Sequence, residues 1–350
     1  MPSMATATLA LFLLLSSTAS VPSADSSVRQ AKATSTLLVL NKAENTVWLV
    51  DMATGEPRAK LPTGPQPNEV AVSPNQKVAA ISDMGGAGVP LGKTMTFVDI
   101  AAGKVTQTID LSPHGAAHGI VWLSDDRLLF TSHMTDSVVE LDVKAGKVVR
   151  AIPTEQKGTH LAVVARDQSR AWAVNAVTGS VTEIDLKAGR VVRQIPTGAR
   201  AEGISLSPDG KWVACGNIGA DTVSIIEAET GKVVHTLAGT GMPIRTLFTA
   251  NGKHLAVSCV KSGTLQVFSV EGWKKVAEAE LKGAPAIPDY GNQWPVPMNL
   301  SLLPNGNLLV VLVTSHAVAE VDTKTWKAVR YFSTGRLPDG IAVAGLRDQA

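Results

Sequence analysis

Three histidines and one glutamate near the middle of the chain are the side chains best suited to hold a metal ion. His118, His133 and His160 offer imidazole nitrogens, and Glu202 offers a carboxylate. Such a set of nitrogen and oxygen donors suits zinc, copper or iron, so the sequence allows a divalent transition-metal site. No HExxH motif places these donors together locally. They can meet only if the fold brings them together.

The same side chains could serve other chemistry. A histidine beside a carboxylate can act as an acid–base pair on a small ligand. No GxSxG motif supplies a nucleophile, and no Walker or GxGxxG loop follows a strand and opens a helix. Cys215 and Cys259 form neither CxxC nor CxxCH, which excludes thioredoxin chemistry and covalently attached c-type haem. We expect both thiols to be buried and free.

A repeated unit positions these residues. It ends in Ser-Pro-Asp-Gly-Lys at Ser207–Lys211, and related copies end at Lys77 and Lys253. A period of roughly 40–50 residues that holds four short strands is typical of a β-propeller blade. We therefore predict an all-β, seven-bladed β-propeller with four-stranded antiparallel blades. Seven innermost strands are expected at Glu69–Ser73, Gly119–Leu123, Leu161–Ala165, Gly203–Ser207, Arg245–Thr249, Asn299–Leu303 and Gly340–Ala344.

The two chain ends are expected to share one blade. The last innermost strand, Gly340–Ala344, has no strands after it, and the strands near Thr36–Leu61 have no innermost strand before them. Joining the two closes the ring and removes a free sheet edge. The predicted boundaries are a signal peptide at 1–19, a flexible leader at 20–35, the propeller at 36–344 and a tail at 345–350.

One face of the predicted disk carries the irregular features. Two expanded loops, Asp83–Gly92 and Gly283–Pro297, fall on this face, and irregular loops on a regular scaffold often bind ligands. Tyr290 and Trp294 give the second loop an aromatic contact surface. The alternative to ligand binding is that the two loops form a packed surface lid with no ligand. The other histidines of the chain are expected on this same face, whereas His235 and His254 lie elsewhere.

The first residues of the innermost strands are expected to line a central funnel. The predicted binding residues there are Asn68, Glu69, His118, His160, Glu202, Arg245, Asn299 and Asp339. These residues have an ordinary structural explanation as well, because inner strands crowd round an axis and polar residues there hold channel water. A Glu202–Arg245 pair would then be structural, since buried charges need partners.

The repeat resembles that of the YVTN-repeat propellers, the YncE-like family. The resemblance is carried by Asn217, Thr222–Glu227, Thr230–Val234, Ile195–Gly198 and Ser207–Lys211, and it extends over about Thr36 to Ala344. It implies a propeller fold and export. The functions it implies are diverse: nucleic-acid binders, surface proteins, proteins of unknown role and relatives of amine dehydrogenase propeller subunits. Fold alone does not choose among them.

Composition narrows the range of partners. The net charge is only +2 over 350 residues, and aromatic residues are not interleaved with the basic ones, so a nucleic-acid partner is not indicated. The apolar run Leu9–Leu15 is too short to span a bilayer and is followed by small residues, as in a signal peptide. The sequence therefore predicts a periplasmic or secreted protein without a membrane span.

Three functional hypotheses remain open. The first is a propeller that binds a small molecule or an exported protein partner at its funnel, without assigned catalysis. The second is a metal-assisted hydrolase or lyase at the funnel. The third is a propeller subunit of a periplasmic oxidoreductase whose redox cofactors lie on another chain.

Export gives the first testable prediction. The mature protein should begin near Ser20, because Ser17-Thr18-Ala19 fits a cleavage site after the apolar run. Mass spectrometry of protein purified from its native source measures the N-terminus directly. An intact N-terminus at Met1 or Pro2 would contradict the prediction.

Overall fold

The computed structural model describes residues 35–86, 88–281 and 295–345. They form an all-β protein of seven four-stranded antiparallel sheets, which confirms the predicted seven-bladed propeller. The predicted signal peptide and leader lie outside the described residues, apart from Ser35, which precedes the first strand. Among the described residues no helix is long and apolar enough to cross a membrane.

We number the blades by the order of their innermost strands. Blade 1 contains β4 (Pro67–Val72), β5 (Val78–Gly86), β6 (Val89–Asp99) and β7 (Lys104–Asp110). Blade 2 contains β8 (Ala117–Trp122), β9 (Arg127–Ser132), β10 (Ser137–Asp142) and β11 (Lys147–Pro153). Blade 3 contains β12 (Thr159–Val164), β13 (Arg170–Asn175), β14 (Ser180–Asp185) and β15 (Arg190–Pro196). Blade 4 contains β16 (Ala201–Leu206), β17 (Trp212–Asn217), β18 (Thr222–Glu227) and β19 (Lys232–Ala238).

The remaining blades follow the same order. Blade 5 contains β20 (Pro243–Phe248), β21 (His254–Cys259), β22 (Thr264–Ser269) and β23 (Lys275–Glu280). Blade 6 contains β24 (Pro297–Leu302), β25 (Leu308–Leu312), β26 (Ala317–Asp322) and β27 (Lys327–Ser333), with a short 3-10 turn at Val313–Ser315. Blade 7 contains β28 (Pro338–Ala344), β1 (Thr36–Asn41), β2 (Thr46–Asp51) and β3 (Pro57–Pro62).

The Ser-Pro-Asp-Gly-Lys turn is held by its own side chains. In blade 4 the Ser207 hydroxyl donates to Asp209 Oδ1 at 2.6 Å and accepts from the Trp212 amide at 2.9 Å. Gly210 has φ +74°, a left-handed conformation that glycine adopts without strain. The recurring sequence is therefore a turn that aligns the first two strands of each blade.

The core lies between neighbouring blades. The second and third strands are nearly fully buried, whereas outer strands such as β15 alternate between exposed and buried residues. Apolar side chains of one sheet pack on those of the next, as Leu37 of blade 7 does within one cluster with Leu309 and Phe332 of blade 6. Cys215 and Cys259 are buried and free, as predicted.

The expanded segment Asp83–Gly92 differs from the predicted irregular loop. Strands β5 and β6 continue into it and pair as far as Gly86 and Val89. A Cβ at Gly92 would lie 1.7 Å from the Asp83 carbonyl oxygen, so the close approach of the two strands requires glycine. This extension is a hairpin that stands on the same face as the predicted loop. Residues 283–294 of the second predicted loop, including Tyr290 and Trp294, lie outside the described residues.

Ring closure by the two chain ends is confirmed, since β28 pairs with β1. We predict that deleting residues 340–350 lowers the melting temperature sharply or causes aggregation. The deletion removes buried Ile341 and Val343 and leaves β1 as an open edge. Each large apolar side chain contributes about 1.5–3 kcal/mol, against a total of about 5–15 kcal/mol for a domain.

The matched control for this deletion is removal of residues 346–350 alone, which leaves β28 intact. Thermal unfolding of both variants measures the difference. A monomeric 340–350 deletion that melts at the same temperature as the control would show that the ring does not depend on closure.

A buried aspartate in blade 1 gives a pH-dependent prediction. By register, Asp83 of β5 lies at the position of Asn175 in β13. It accepts from the Thr94 and Thr96 hydroxyls and from the Gly64 amide. Burial raises its pKa to about 6 despite these hydrogen bonds. A raised folded pKa means that its contribution is fully favourable below pH about 4 and is lost as pH rises through 6.

We therefore expect Asp83→Asn to stabilise the protein at pH 8 and to change little at pH 3.5. The two-unit shift corresponds to about 3 kcal/mol as an upper bound. Asn175→Asp, at the equivalent position, should destabilise at pH 8. Denaturant unfolding at both pH values measures this, and an equal effect of Asp83→Asn at the two pH values would rule out an ionised Asp83 as the cause.

Candidate functional site

The predicted funnel residues form one ring at the face where the innermost strands begin. Each of the seven strands contributes at least one member. We call this set the funnel ring: Asn68, Glu69, His118, His160, Glu202, Arg245, Asn299 and Asp339. Most members are buried, Glu202 and Glu69 less completely than the others.

A backbone irregularity aims these side chains at the axis. In all seven blades the pairing between the innermost strand and its neighbour shifts near the funnel end, for example between Ala117 and Ile120 in β8 and between Thr159 and Ala162 in β12. Such bulges bend a strand and re-aim its side chains. His118 and His160 lie within these two shifts.

Arg245 is the central cation of the funnel ring. Its Nη2 donates to Glu69 Oε1 at 2.9 Å, and its Nη1 lies 3.8 Å from Glu202 Oε1. Asn299 donates to the other oxygen of Glu69 at 3.1 Å. Burial lowers the pKa of Arg245, but the charges of Glu69, Glu202 and Asp339 outweigh it and raise that pKa. The predicted Glu202–Arg245 pair is present, and Glu69 is the closer partner.

The pKa values of the two glutamates shift in opposite directions, although burial acts to raise both. Burial raises the pKa of Glu69 above its usual value, although Arg245 opposes the shift. Burial also acts to raise the pKa of Glu202, but the hydrogen bond from His160 and the charges of Arg245 and Arg200 hold it at about 2. Glu202 is therefore ionised at neutral pH.

A chain of three side chains leads from Glu202 to the outer surface of the face. His160 Nε2 lies 2.7 Å from Glu202 Oε1, and His160 Nδ1 lies 2.7 Å from His133 Nε2. His160 is 6 % exposed and His133 is half-buried. Burial, first of all, lowers the pKa of His133 to about 4. His133 is therefore neutral at pH 7.

A second chain runs from His118 to blade 7. Lys42 Nζ donates to Asn68 Oδ1 at 2.6 Å and to Asp339 Oδ2 at 3.1 Å. Because Lys42 binds the amide oxygen of Asn68, the amide nitrogen Nδ2 of Asn68 faces His118 Nε2 and contacts it. His118 Nδ1 has no hydrogen-bond partner among the described residues and lies 3.8 Å from Glu69. Burial, first of all, lowers the pKa of His118 well below its usual value.

The three histidines predicted as metal ligands are adjacent. Ring centroids of His118 and His160 are 3.8 Å apart, and those of His133 and His160 are 4.9 Å apart. His160 hydrogen-bonds to His133 and to Glu202, whereas His118 Nε2 contacts Asn68. The described residues contain no group of three or more His, Cys, Asp or Glu arranged to hold a metal. A metal held by all three would require the rings to turn. The metal site stays a prediction.

The other histidines lie apart from this cluster. His114 stands four residues before His118, the HxxxH spacing, yet it lies in a loop and pairs with Thr135 Oγ1 at 2.9 Å. His235 lies beside the ring of Trp273, and His254 meets the ring of Trp326 edge-on. By register, Ser132 ends β9 as Asn175 ends β13, so His133 lies one residue beyond the position of that asparagine.

Lys42 is a funnel residue that the sequence analysis did not predict. It follows the last residue of β1, as His133 follows the last residue of β9. Two blades therefore use the same repeat position to send a polar side chain to the funnel. That shared position is the signal that could have identified Lys42.

Two cavities adjoin the funnel ring. One of about 170 Å³ lies within the channel and is bordered by Glu69, Arg245 and Asn299 with apolar residues. The other, of about 420 Å³, opens between blades 6 and 7 and is bordered by Lys42 and Asp339. The second falls in the range of about 300–1,000 Å³ that is usual for small-molecule sites.

Solved structures share this fold at low sequence identity. Hydrazine synthase of Kuenenia stuttgartiensis aligns with a TM-score of 0.65 and 19% identity, over 78% of this chain and 88% of that one. A functionally unknown protein of Desulfotomaculum acetoxidans DSM 771 aligns with 0.72 and 12%, over 88% and 98%. The dihydro-heme d1 dehydrogenase NirN in complex with DHE aligns with 0.62 and 15%, over 88% and 74%. These likenesses concern the fold alone.

Sequence comparison supplies the family. No curated protein sequence matches significantly. Residues 160–346 match the family model described as the cytochrome D1 heme domain, which is more than half of the chain. The matched segment begins at His160 and includes five of the seven innermost strands. The chain belongs to the cytochrome D1 heme domain family.

Proposed function

We propose that this chain is the propeller module of an exported oxidoreductase and that it binds an iron tetrapyrrole on its funnel face, with His133 as the iron ligand. The family membership and the likeness to a dehydrogenase of dihydro-heme d1 support the ligand class. The observation that carries the choice of residue is the chain Glu202–His160–His133.

The donor chemistry of this chain fits iron. An imidazole binds a metal only when it is neutral, and the lowered pKa keeps His133 neutral far below pH 7. The ionised Glu202 can only accept, so His160 Nε2 carries a proton. In the proposed arrangement His160 Nδ1 accepts from His133 Nε2, which leaves the lone pair of His133 Nδ1 for iron.

A carboxylate behind a ligating imidazole fixes its tautomer and increases its basicity. Glu202 and His160 are positioning residues in this arrangement, because they act through His133. His118 cannot replace His133 as ligand, since it is 2 % exposed and its Nε2 faces the Asn68 amide.

The surroundings of His133 suit a flat amphipathic ligand. Exposed apolar side chains lie on the same face, with Met134 42 % exposed, Leu91 48 % and Val177 77 %. A macrocycle can cover such groups. Arg200 is exposed and close enough to Glu202 to lower its pKa, and its guanidinium can pair with a ligand carboxylate.

Bound iron would supply one-electron chemistry that the side chains lack. The residues of this chain would bind, orient and shield the ligand. These residues contain no CxxCH motif for a c-type haem, so we propose that a centre outside them supplies the electrons. We propose a module of an oxidoreductase because bound iron would exchange electrons with such a centre. We propose export because the sequence resembles the YVTN-repeat propellers, a resemblance that implies export.

The alternatives from the sequence make different demands. A propeller that binds only a protein partner needs no neutral, carboxylate-backed imidazole at its face. A metal-assisted hydrolase needs converging ligands and an open coordination position, and the hydrogen-bonded histidines meet neither demand without turning.

The proposal predicts the outcome of a haemin titration. Wild-type protein should bind haemin with a shifted Soret band, and His133→Ala should abolish the shift because the ligand nitrogen is gone. Glu202→Gln should weaken binding by about 10–100-fold, the usual effect of losing a partner behind a metal ligand. Binding should persist to about pH 5 and fall as His133 is protonated below it.

The matched control is His254→Gln, which lies away from this face and should bind like the wild type. Midpoint potentials of the loaded variants give a second readout, since Glu202→Gln should raise the potential of bound haem. Equal Soret shifts in wild type and His133→Ala would sink the assignment of His133. A wild type that does not bind haemin would sink the tetrapyrrole proposal itself.

A further inference from the structure

A cavity between blades 3 and 4 opens on the face opposite the funnel ring. Its volume is about 820 Å³, within the range of about 300–1,000 Å³ that is usual for small-molecule sites. It lies where the innermost strands β12 and β16 end and turn into the second strands of their blades. The cavity is therefore separate from the proposed tetrapyrrole site, which lies where those strands begin.

The wall of this cavity is an apolar mouth of the central channel. Four neighbouring innermost strands each contribute a half-buried apolar side chain near their end: Val121, Val163, Leu206 and Leu247. Because these side chains border one cavity and keep apolar area in contact with water, an apolar ligand that covers them gains free energy.

The mouth continues toward the axis of the propeller. Three of its lining residues also border the channel cavity next to Arg245: Ala162, Ile204 and Leu247. A ligand with an extended apolar tail can therefore follow the axis from the mouth into the channel, where the walls stay apolar up to the funnel ring.

Most polar side chains of the cavity already have partners within the chain. Six of them form hydrogen bonds with other side chains: Asp167, Ser169, Arg170, Ser205, Ser207 and Asp209. The charge of Arg170 is offset by Glu183 at 3.3 Å, and Lys211 lies 3.8 Å from Asp209. These groups hold the turns and do not need a ligand.

Arg166 is different from these groups. It borders the cavity and is exposed, and it forms no hydrogen bond or ion pair with the part of the chain that the structure describes. A guanidinium can donate two parallel hydrogen bonds to one carboxylate. The cavity thus joins an accessible, unpaired cation to an apolar mouth.

We propose that this cavity binds a medium-chain aliphatic carboxylate. Its carboxylate would pair with Arg166 at the rim, and its tail would lie against Val121, Val163, Leu206 and Leu247 and point into the channel. The proposal does not rest on the tetrapyrrole, because His133 does not border this cavity.

Isothermal titration calorimetry of the full chain tests the proposal with probes that differ in one feature each. Decanoate should bind at one per chain. Octanoate should bind about 15-fold more weakly, since each buried methylene contributes about fourfold. Decylamine has the same tail with a positive head, so it should bind at least fivefold more weakly than decanoate.

Variants of the rim and the wall locate the site. Arg166→Gln should weaken decanoate binding by about fivefold, the upper range for an ion pair open to water. The matched control is Lys253→Gln, which removes an exposed cation from the corresponding turn of blade 5, away from the cavity. That variant and His133→Ala should bind decanoate like the wild type.

Leu206→Trp should abolish binding because it fills the mouth. The fold accepts a tryptophan at this register position, since Trp122 of blade 2 pairs with the second residue of β9 as Leu206 pairs with the second residue of β17. Val163→Phe fills the mouth from blade 3 and serves as the test should Leu206→Trp fail to fold.

Failure of decanoate to bind the wild type, or uptake of several decanoates per chain without saturation, would overturn the proposal. Decanoate binding that is unchanged in Arg166→Gln, or decylamine binding as tight as that of decanoate, would overturn the role of the carboxylate. Binding that survives the folded wall variants would overturn the location.

Discussion

Seven innermost strands converge on one axis, and their first residues have few partners except one another. This crowding is the constraint on which the funnel depends. Moving a charge out of water costs several kcal/mol, so each buried charge needs an opposite charge and hydrogen bonds. Arg245 meets that need for Glu69 at 2.9 Å and contributes to it for Glu202 at 3.8 Å. His160 adds a hydrogen bond to Glu202 Oε1, and Asn299 adds one to Glu69 Oε2.

The architecture was predictable from the sequence because it is a matter of local turns repeated at a fixed period. The Ser207–Lys211 turn predicts a tight hairpin, and the copies of this repeat along the chain give the number of blades. The closing blade followed from the two incomplete ends, Thr36–Leu61 and Gly340–Ala344. Membership of the funnel ring followed from the same count, since every innermost strand begins at the same face.

The arrangement within the ring could not be predicted in the same way. A bulge at the start of each innermost strand turns the side chains, and nothing in the sequence around His118 or His160 marks it. The choice of Glu69 over Glu202 as the closer partner of Arg245 joins residues far apart in the chain. Lys42 enters from the turn after β1, whereas the prediction considered only the strand starts.

Polar contacts join most of the funnel ring into two chains. Glu202 and His160 support the imidazole of His133 at the surface of the face. Lys42 contacts Asp339 and Asn68, and Asn68 contacts His118. Family membership supports the proposed tetrapyrrole as the ligand of this face.

The central claim is that His133 is a neutral imidazole whose Nδ1 is unprotonated. Its proton would lie on Nε2 and be donated to His160 Nδ1, while Glu202 orients His160 through the other ring nitrogen. Nitrogen NMR of ¹⁵N-histidine-labelled protein, assigned with His133→Gln, measures this directly. The account predicts an unprotonated Nδ1 and a protonated Nε2 for His133 from pH 8 to about pH 5, with titration near pH 4. A His133 that is charged at pH 6, or that carries its proton on Nδ1, would contradict it.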